Sequence, residues 1–317
     1  MMLREKFLAL CAAVSCLVIS CGPGGLEPGE GYIEVSGGRV WYRIAGSGDQ
    51  TPLLLLHGGP GAPGYYFEPL AELADERPVI FYDQLGAGRS DAPSDTTLWR
   101  VERFVDELAQ VREALGLSEV HILGHSWGTM LAVDYMLTRP EGVRSLILAS
   151  PALSIPRWLA DTDSLLRTLP ESIQDVVYEH ERAGTTDSPD YLAAVDEFYR
   201  RFLCRLDPWP PEMDSTFAHF GYEVYNYMWG PSEFTATGVL KQYDRTDRLG
   251  ELGLSVLFTT GAYDEATPST VDYYRSLVPG SRLEILEESA HMTMLDEPDE
   301  YVRIVRNFLR EVENSAR

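Results

Sequence analysis

What most limits the folds open to this chain is a series of short, nearly uninterrupted apolar runs. They are Leu53–Leu56, Val79–Tyr82, Val120–Leu123, Ser145–Ala149, Ser255–Thr259 and Leu283–Leu286. A strand with one wet face alternates apolar and polar residues, whereas a strand covered on both faces need not. Segments with apolar residues near helical spacing lie between several of these runs. Leu98–Leu115 stops at Gly116, Trp127–Leu137 stops before Pro140, and Asp299–Val312 closes the chain. Strands alternating with helices predict the α/β class, with a mostly parallel sheet and helices on both faces. Ahead of them, Tyr32–Val35 and Val40–Ile44 flank Ser36-Gly37-Gly38-Arg39 and read as a β-hairpin. A length of 317 residues, 44% of them hydrophobic, supplies one large core with room for an insertion.

The alternation breaks between residues 151 and 248. This stretch is rich in Trp, Tyr, Phe and Pro, with helix-like segments at Arg157–Leu169, Ser172–Arg182 and Tyr191–Leu203. It reads as a helical cap inserted into a sheet domain made of 32–150 and 249–317, placed where insertions build substrate pockets. A surface insertion without a binding role is the alternative.

The charge balance narrows the partners. With 26 Lys and Arg against 49 Asp and Glu, the net charge is −23. That excludes a bare nucleic-acid binder and electrostatic docking on anionic lipid, both of which need clustered cations. At the N-terminus Arg4 and Lys6 precede the apolar run Phe7–Ile19, which is short for a membrane span, and then Ser20-Cys21-Gly22. This resembles a bacterial lipobox. Residues 1–20 would be a lipoprotein signal peptide, Cys21 the lipidated first residue, and the Gly-, Pro- and Glu-rich 21–31 a linker. An ordinary secretory signal and an uncleaved anchor stay open as alternatives. The expected location is the bacterial cell envelope, on the periplasmic or extracellular face, with contact to membrane through the lipid anchor only. With Cys11 and Cys16 inside the signal, Cys204 is the one cysteine left to the mature domain, expected as a buried thiol rather than a nucleophile.

The chemistry centres on Gly124-His125-Ser126-Trp127-Gly128, which follows one buried-strand run and precedes a helix-like segment. A serine on a strained strand–turn–helix needs glycine neighbours and presents its hydroxyl at the carboxyl end of the sheet. Ser126 is therefore the expected nucleophile. The hydroxyl needs a base, and His291, in a loop just after Leu283–Leu286, can return to it. Asp264 follows Ser255–Thr259 and is the expected orienting acid, with Glu265 its competitor. The Gly-rich His57-Gly58-Gly59-Pro60-Gly61 loop follows Leu53–Leu56, so the oxyanion donors are expected to be the N–H groups of Gly59 and Trp127. No cofactor or metal is implied, and no zinc pattern or nucleotide loop stands out.

Taken together, His57-Gly58-Gly59-Pro60-Gly61, Tyr82-Asp83-Gln84-Leu85-Gly86-Ala87-Gly88-Arg89-Ser90, Gly124-His125-Ser126-Trp127-Gly128-Thr129 and Gly261-Ala262-Tyr263-Asp264-Glu265-Ala266-Thr267-Pro268 resemble the proline iminopeptidase (prolyl aminopeptidase) family. The resemblance runs from Tyr32 to the C-terminal helix and implies the α/β-hydrolase fold. Leu85 stands where many members have Arg, and this form is similar to the branch of tricorn-interacting aminopeptidases and amino-acid amidases. The family implies a serine exopeptidase that releases an N-terminal residue, proline or another small or apolar one, through an acyl-enzyme. An amino-acid amidase or esterase using the same triad is the alternative, so short peptides or amino-acid amides are the expected partners. The resemblance also implies that Glu233 and Glu265 hold the substrate's α-ammonium, a cation that needs paired charge once desolvated. Tyr225, Tyr227 and Trp229 are candidates for an apolar first-residue pocket or for ordinary core.

Overall fold

A computed structural model describes residues 26–315. The predicted leader, the lipidation candidate Cys21 and the start of the 21–31 linker lie outside the described residues. In chain order the regular elements are β1 (Gly29–Val35), β2 (Gly38–Ala45), β3 (Leu53–Leu56), β4 (Val79–Tyr82), α1 (Val101–Ala114), β5 (Val120–His125), α2 (Trp127–Leu137) and β6 (Val143–Ala149). Five helices follow: α3 (Ile155–Leu166), α4 (Glu171–Ala183), α5 (Pro189–Phe202), α6 (Pro211–Ala218) and α7 (Tyr222–Met228). The chain then completes β7 (Ser255–Gly261), α8 (Pro268–Ser276), β8 (Arg282–Leu286), α9 (Thr293–Asp296) and α10 (Pro298–Ser315). A 3₁₀ stretch, Gly64–Asp75, links β3 to β4. No described helix is long and apolar enough to cross a membrane.

The strands form one sheet in the order β1-β2-β4-β3-β5-β6-β7-β8. The β1–β2 hairpin pairs antiparallel with the rest, and β3 to β8 run parallel. The apolar runs are continuous because successive residues feed different cores. Leu54, Leu56, Ile80, Ile122, Leu146, Leu148 and Phe258 point to one, where α1, α2 and α8 contribute Phe104, Leu131 and Val271. Leu53, Leu55, Val79, Phe81, Leu123, Ile147 and Leu257 point to the other, covered by the 64–75 stretch and α10 through Phe67, Leu70, Tyr301, Val305 and Leu309. Two helical layers on one parallel sheet thus account for the absence of alternation.

Helices α3–α7 leave the sheet between β6 and β7 and carry a small core of their own, including Leu166, Val177, Tyr191, Phe198 and Phe202. The insertion is also tied to the sheet domain by backbone. The His291 N–H donates to Phe202 O at 3.1 Å and the Met292 N–H to Leu203 O at 2.8 Å. β3 and β5 are neighbours, yet their connections leave in opposite directions, to β4 and to β6. A crevice opens at the carboxyl ends of such a pair.

Candidate active site

At that crevice β5 runs into Ser126 and α2 starts at Trp127. Ser126 has φ +53° and ψ −119°, a left-handed conformation that a residue with a β-carbon adopts at some cost. The flanking glycines are steric requirements. A Cβ on Gly124 would sit 2.3 Å from Gly128 O, and one on Gly128 would sit 2.0 Å from Leu56 O. The elbow is thus pressed against the end of β3, which sets Ser126 beside the loop carrying Gly58 and Gly59.

Asp264 and His291 come from the ends of β7 and β8. Asp264 Oδ1 accepts from His291 Nδ1 at 2.8 Å and from the Ala266 N–H at 2.7 Å, while Oδ2 accepts from Thr260 Oγ1 at 3.0 Å. Burial opposes the charged form of Asp264. The nearby imidazole and these hydrogen bonds outweigh it and hold the carboxyl below its ordinary value. Because the carboxylate only accepts, Nδ1 carries the proton, and the Nε2 lone pair is left for the cavity that His291 and Ser126 both line.

Trp127 opens α2, so its N–H belongs to the first helical turn, which has no intrahelical acceptor. Of the two glycines after His57, Gly58 gives its N–H to Tyr66 Oη at 2.7 Å. Neither Gly59 nor Trp127 gives its backbone N–H to an acceptor among the described residues.

The cavity holds about 350 Å³, within the span of small-molecule sites, roughly 300–1,000 Å³. Trp158, Tyr199, Tyr225 and Trp229 form much of its apolar wall, and Glu233 and Glu265 are its carboxylates near Ser126 and His291. Tyr227, by contrast, is 38% exposed and faces away. Glu265 is 2% exposed; its Oε1 lies 3.8 Å from His291 Nε2, and its Oε2 has no partner among the described residues. Glu233 is half-buried in the 229–234 loop of the insertion and accepts from Tyr225 Oη at 2.6 Å. Burial raises both carboxyls, and the negative charges of Glu233 and Asp264 push Glu265 further, well above the ordinary range. A buried and a half-buried acid opening on one cavity are suited to a cation.

Residues 51–298 match the family model described as the alpha/beta hydrolase fold. A proline iminopeptidase of Heyndrickxia coagulans is 49% identical over 285 residues, spanning 89% of this chain and 99% of that protein. One of Saccharolobus solfataricus is 36% identical, spanning 89% and 93%. The chain belongs to the proline iminopeptidase family. The crystal structure of the Mycobacterium smegmatis proline iminopeptidase superposes with a TM-score of 0.84 at 34% identity, covering 91% of this chain and all of that one. The chain is accordingly a serine hydrolase of the α/β-hydrolase fold.

The family resemblance does not disclose the wiring beneath the site, and the sequence carried little signal for it. Tyr66 Oη, which accepts from Gly58 N–H, faces His125 Nδ1 at 3.1 Å, and His125 Nε2 faces His291 O at 3.0 Å. A carbonyl can only accept, so Nε2 carries the His125 proton and Nδ1 accepts from the tyrosine. Burial and the neighbouring His291 hold the His125 imidazole down to about 3, so it stays neutral. One hydrogen-bonded chain therefore links the Gly58–Gly59 loop, the elbow and the backbone of His291, where Ser150 Oγ donates to the same carbonyl at 3.0 Å. A second chain passes through Gln84. Its N–H donates to His57 Nε2 at 2.9 Å, its Nε2 to His57 O at 3.0 Å, and its Oε1 accepts from Trp127 Nε1 at 2.9 Å. Cys204 is buried with Sγ 3.5 Å from Asp296 Oδ1, and burial pushes its thiol up to about 12, which leaves it unreactive.

Proposed function

We propose that this chain removes one residue, proline or another small or apolar one, from the free N-terminus of short peptides. Ser126 attacks the first peptide carbonyl as His291 takes its proton. Asp264 holds the imidazole and stabilises the imidazolium. The Gly59 and Trp127 N–H groups stabilise the oxyanion, His291 protonates the leaving amine, and water then releases the acyl group. Glu233 and Glu265 hold the α-ammonium. The observation that carries the reading is their placement in one cavity with Ser126 and His291. A blocked N-terminus would leave the buried Glu265 and the half-buried Glu233 without a counter-charge, which is how such a site rejects it.

The test is turnover on proline, alanine and leucine p-nitroanilides, each with a free or acetylated amine, alongside p-nitrophenyl acetate. Activity on free-amine anilides that is lost on acetylation is the expected result. Indifference to acetylation would place the protein with esterases and remove the role given to the two glutamates. The leader pattern supports a further part of the reading, a lipid anchor on Cys21 in the cell envelope. Mass spectrometry of protein made in a bacterial host checks it, and an unmodified Cys21 would refute it.

A further inference from the structure

An aromatic row leads away from the acids of the cavity. Tyr225, whose hydroxyl holds Glu233, meets Phe220 edge-on at 5.3 Å between ring centroids. Phe220 stacks on Phe217 at 6.3 Å and 14°, and Phe217 on Trp209 at 5.5 Å and 7°. All four rings line the cavity. The row is fixed to the oxyanion loop, because the Gly221 N–H donates to Gly61 O at 2.8 Å and Thr216 Oγ1 to Pro63 O at 3.2 Å. Two other lining residues mark the mouth: Tyr222, 4.8 Å from Phe220, is 58% exposed, and Leu192 of α5 is 55% exposed. No Lys or Arg lines the cavity among the described residues. Arg200, beside the row at 5.9 Å from the Trp209 ring centroid, is engaged by Asp196 at 2.8 Å and Asp207 at 3.6 Å.

Resting on the aminopeptidase reading, we propose that this row binds the part of the substrate beyond the scissile bond and thereby selects the substrate class. The favoured class is an N-terminal residue carried on an uncharged apolar or aromatic amide, and free dipeptides are rejected. With the ammonium at Glu233 and Glu265 and the first carbonyl at Ser126, whatever follows that carbonyl runs toward the mouth, along Phe220, Phe217 and Trp209. Ring against ring stabilises an aromatic leaving part beyond the area it buries. A dipeptide carries its carboxylate one Cα past the scissile nitrogen, so the charge stays inside, where the wall offers carboxylates and no unpaired cation. A carboxylate taken out of water without a partner binds poorly. Each further residue moves that charge outward by ~3.5 Å, so longer peptides keep it in water, and an amide has no such charge to desolvate.

The test compares kcat/KM at pH 7 for L-prolyl-L-phenylalaninamide, L-prolylglycinamide and free L-prolyl-L-phenylalanine. The first and third share one shape and differ in the charge at the end. The phenylalaninamide is expected to lead the glycinamide by roughly 10-fold and the free acid by at least ~10-fold. Phe217→Ala is expected to shrink the first ratio to about 2-fold, and Phe217→Arg to shrink the second by supplying a cation. Each ratio is taken within one protein, so a smaller folded fraction does not disturb it, and should a variant not fold the native ratios decide alone. Equal kcat/KM within either pair would overturn the proposal, while turnover of all three would leave the aminopeptidase reading intact. A free acid cleaved faster than its amide would place the carboxylate on Arg200 and overturn it as well. So would a first ratio unchanged in Phe217→Ala, which moves the leaving part off the row. Turnover of none of the three, with p-nitrophenyl acetate still hydrolysed, would overturn both readings.

Discussion

Single residues carry the reaction, and their neighbours decide whether they are in place. Ser126, His291 and Asp264 were expected as a triad because each follows a strand-like run and Gly-x-Ser-x-Gly marks the elbow directly, and all three lie after the carboxyl ends of β5, β8 and β7. Replacing Ser126 by Ala is expected to abolish turnover and the acyl-enzyme burst while the melting temperature holds; an undiminished burst would remove Ser126 from its role. The Tyr66–His125 chain was not legible, since a hydrogen bond between a 3₁₀ stretch and an elbow leaves no periodicity behind. Tyr66 is fully buried and its hydroxyl is the acceptor for Gly58 N–H. Tyr66→Phe strands that N–H and His125 Nδ1 together, at a cost of about 1–3 kcal/mol in stability per buried group. Because the chain ends on the His291 carbonyl, kcat is expected to fall by roughly 10–100-fold with KM little changed. A rise in KM at constant kcat would show that the hydroxyl supports the pocket and not the base.

At the scale of elements, legibility tracks how much of each element's burial is regular. The parallel strands β3 to β7 were readable because both faces are covered, whereas β8 at the sheet edge leaves Arg282, Glu284 and Ile285 exposed and buries only Leu286 fully. α1 and α10 were readable because each buries one stripe of a long helix. The 64–75 stretch escaped because Pro69 interrupts it and 3₁₀ geometry has no 3.6 period. α6 and α7 have eight and seven residues, too few turns to display a period, and α6 begins in Pro210-Pro211. The insertion was therefore recognised by the loss of strand pattern, with only α3, α4 and α5 marked within it. Close approach of elements is equally silent in sequence unless glycine reports it. Gly128 does, because α2 packs its first turn on Leu56 O. Gly128→Ala would place a Cβ 2.0 Å from that oxygen, so the elbow must move or the fold must fail. The expectation is a loss of several kcal/mol together with all turnover, measured by urea denaturation and proline p-nitroanilide assay. Native activity in this variant would mean that the approach of α2 to β3 is looser than described.

For the whole molecule, the site is a standing charge on stability. The chain has an excess of 23 negative charges, and like charge already opposes compaction; Glu265 adds a carboxyl inside the protein, raised by burial and by the charges of Glu233 and Asp264. In the unfolded chain a glutamate loses its proton near about 4.3, whereas in the folded protein Glu265 keeps it to higher pH. Between those two values the folded state binds more protons than the unfolded one, so stability falls as pH rises. Asp264 has the opposite sign. Held below its ordinary value by His291, it contributes stability above the unfolded value of about 3.9 that is lost as pH falls through its folded value. Glu265→Gln removes only the first contribution. The variant is expected to match the native melting temperature near pH 4, where both forms are neutral at this position, and to exceed it increasingly toward pH 8. The comparison is a pair of thermal scans across that range at fixed ionic strength. A constant difference at every pH would mean that the gain comes from packing. A Glu265→Gln protein less stable at pH 8 would mean that the native carboxylate is paired there.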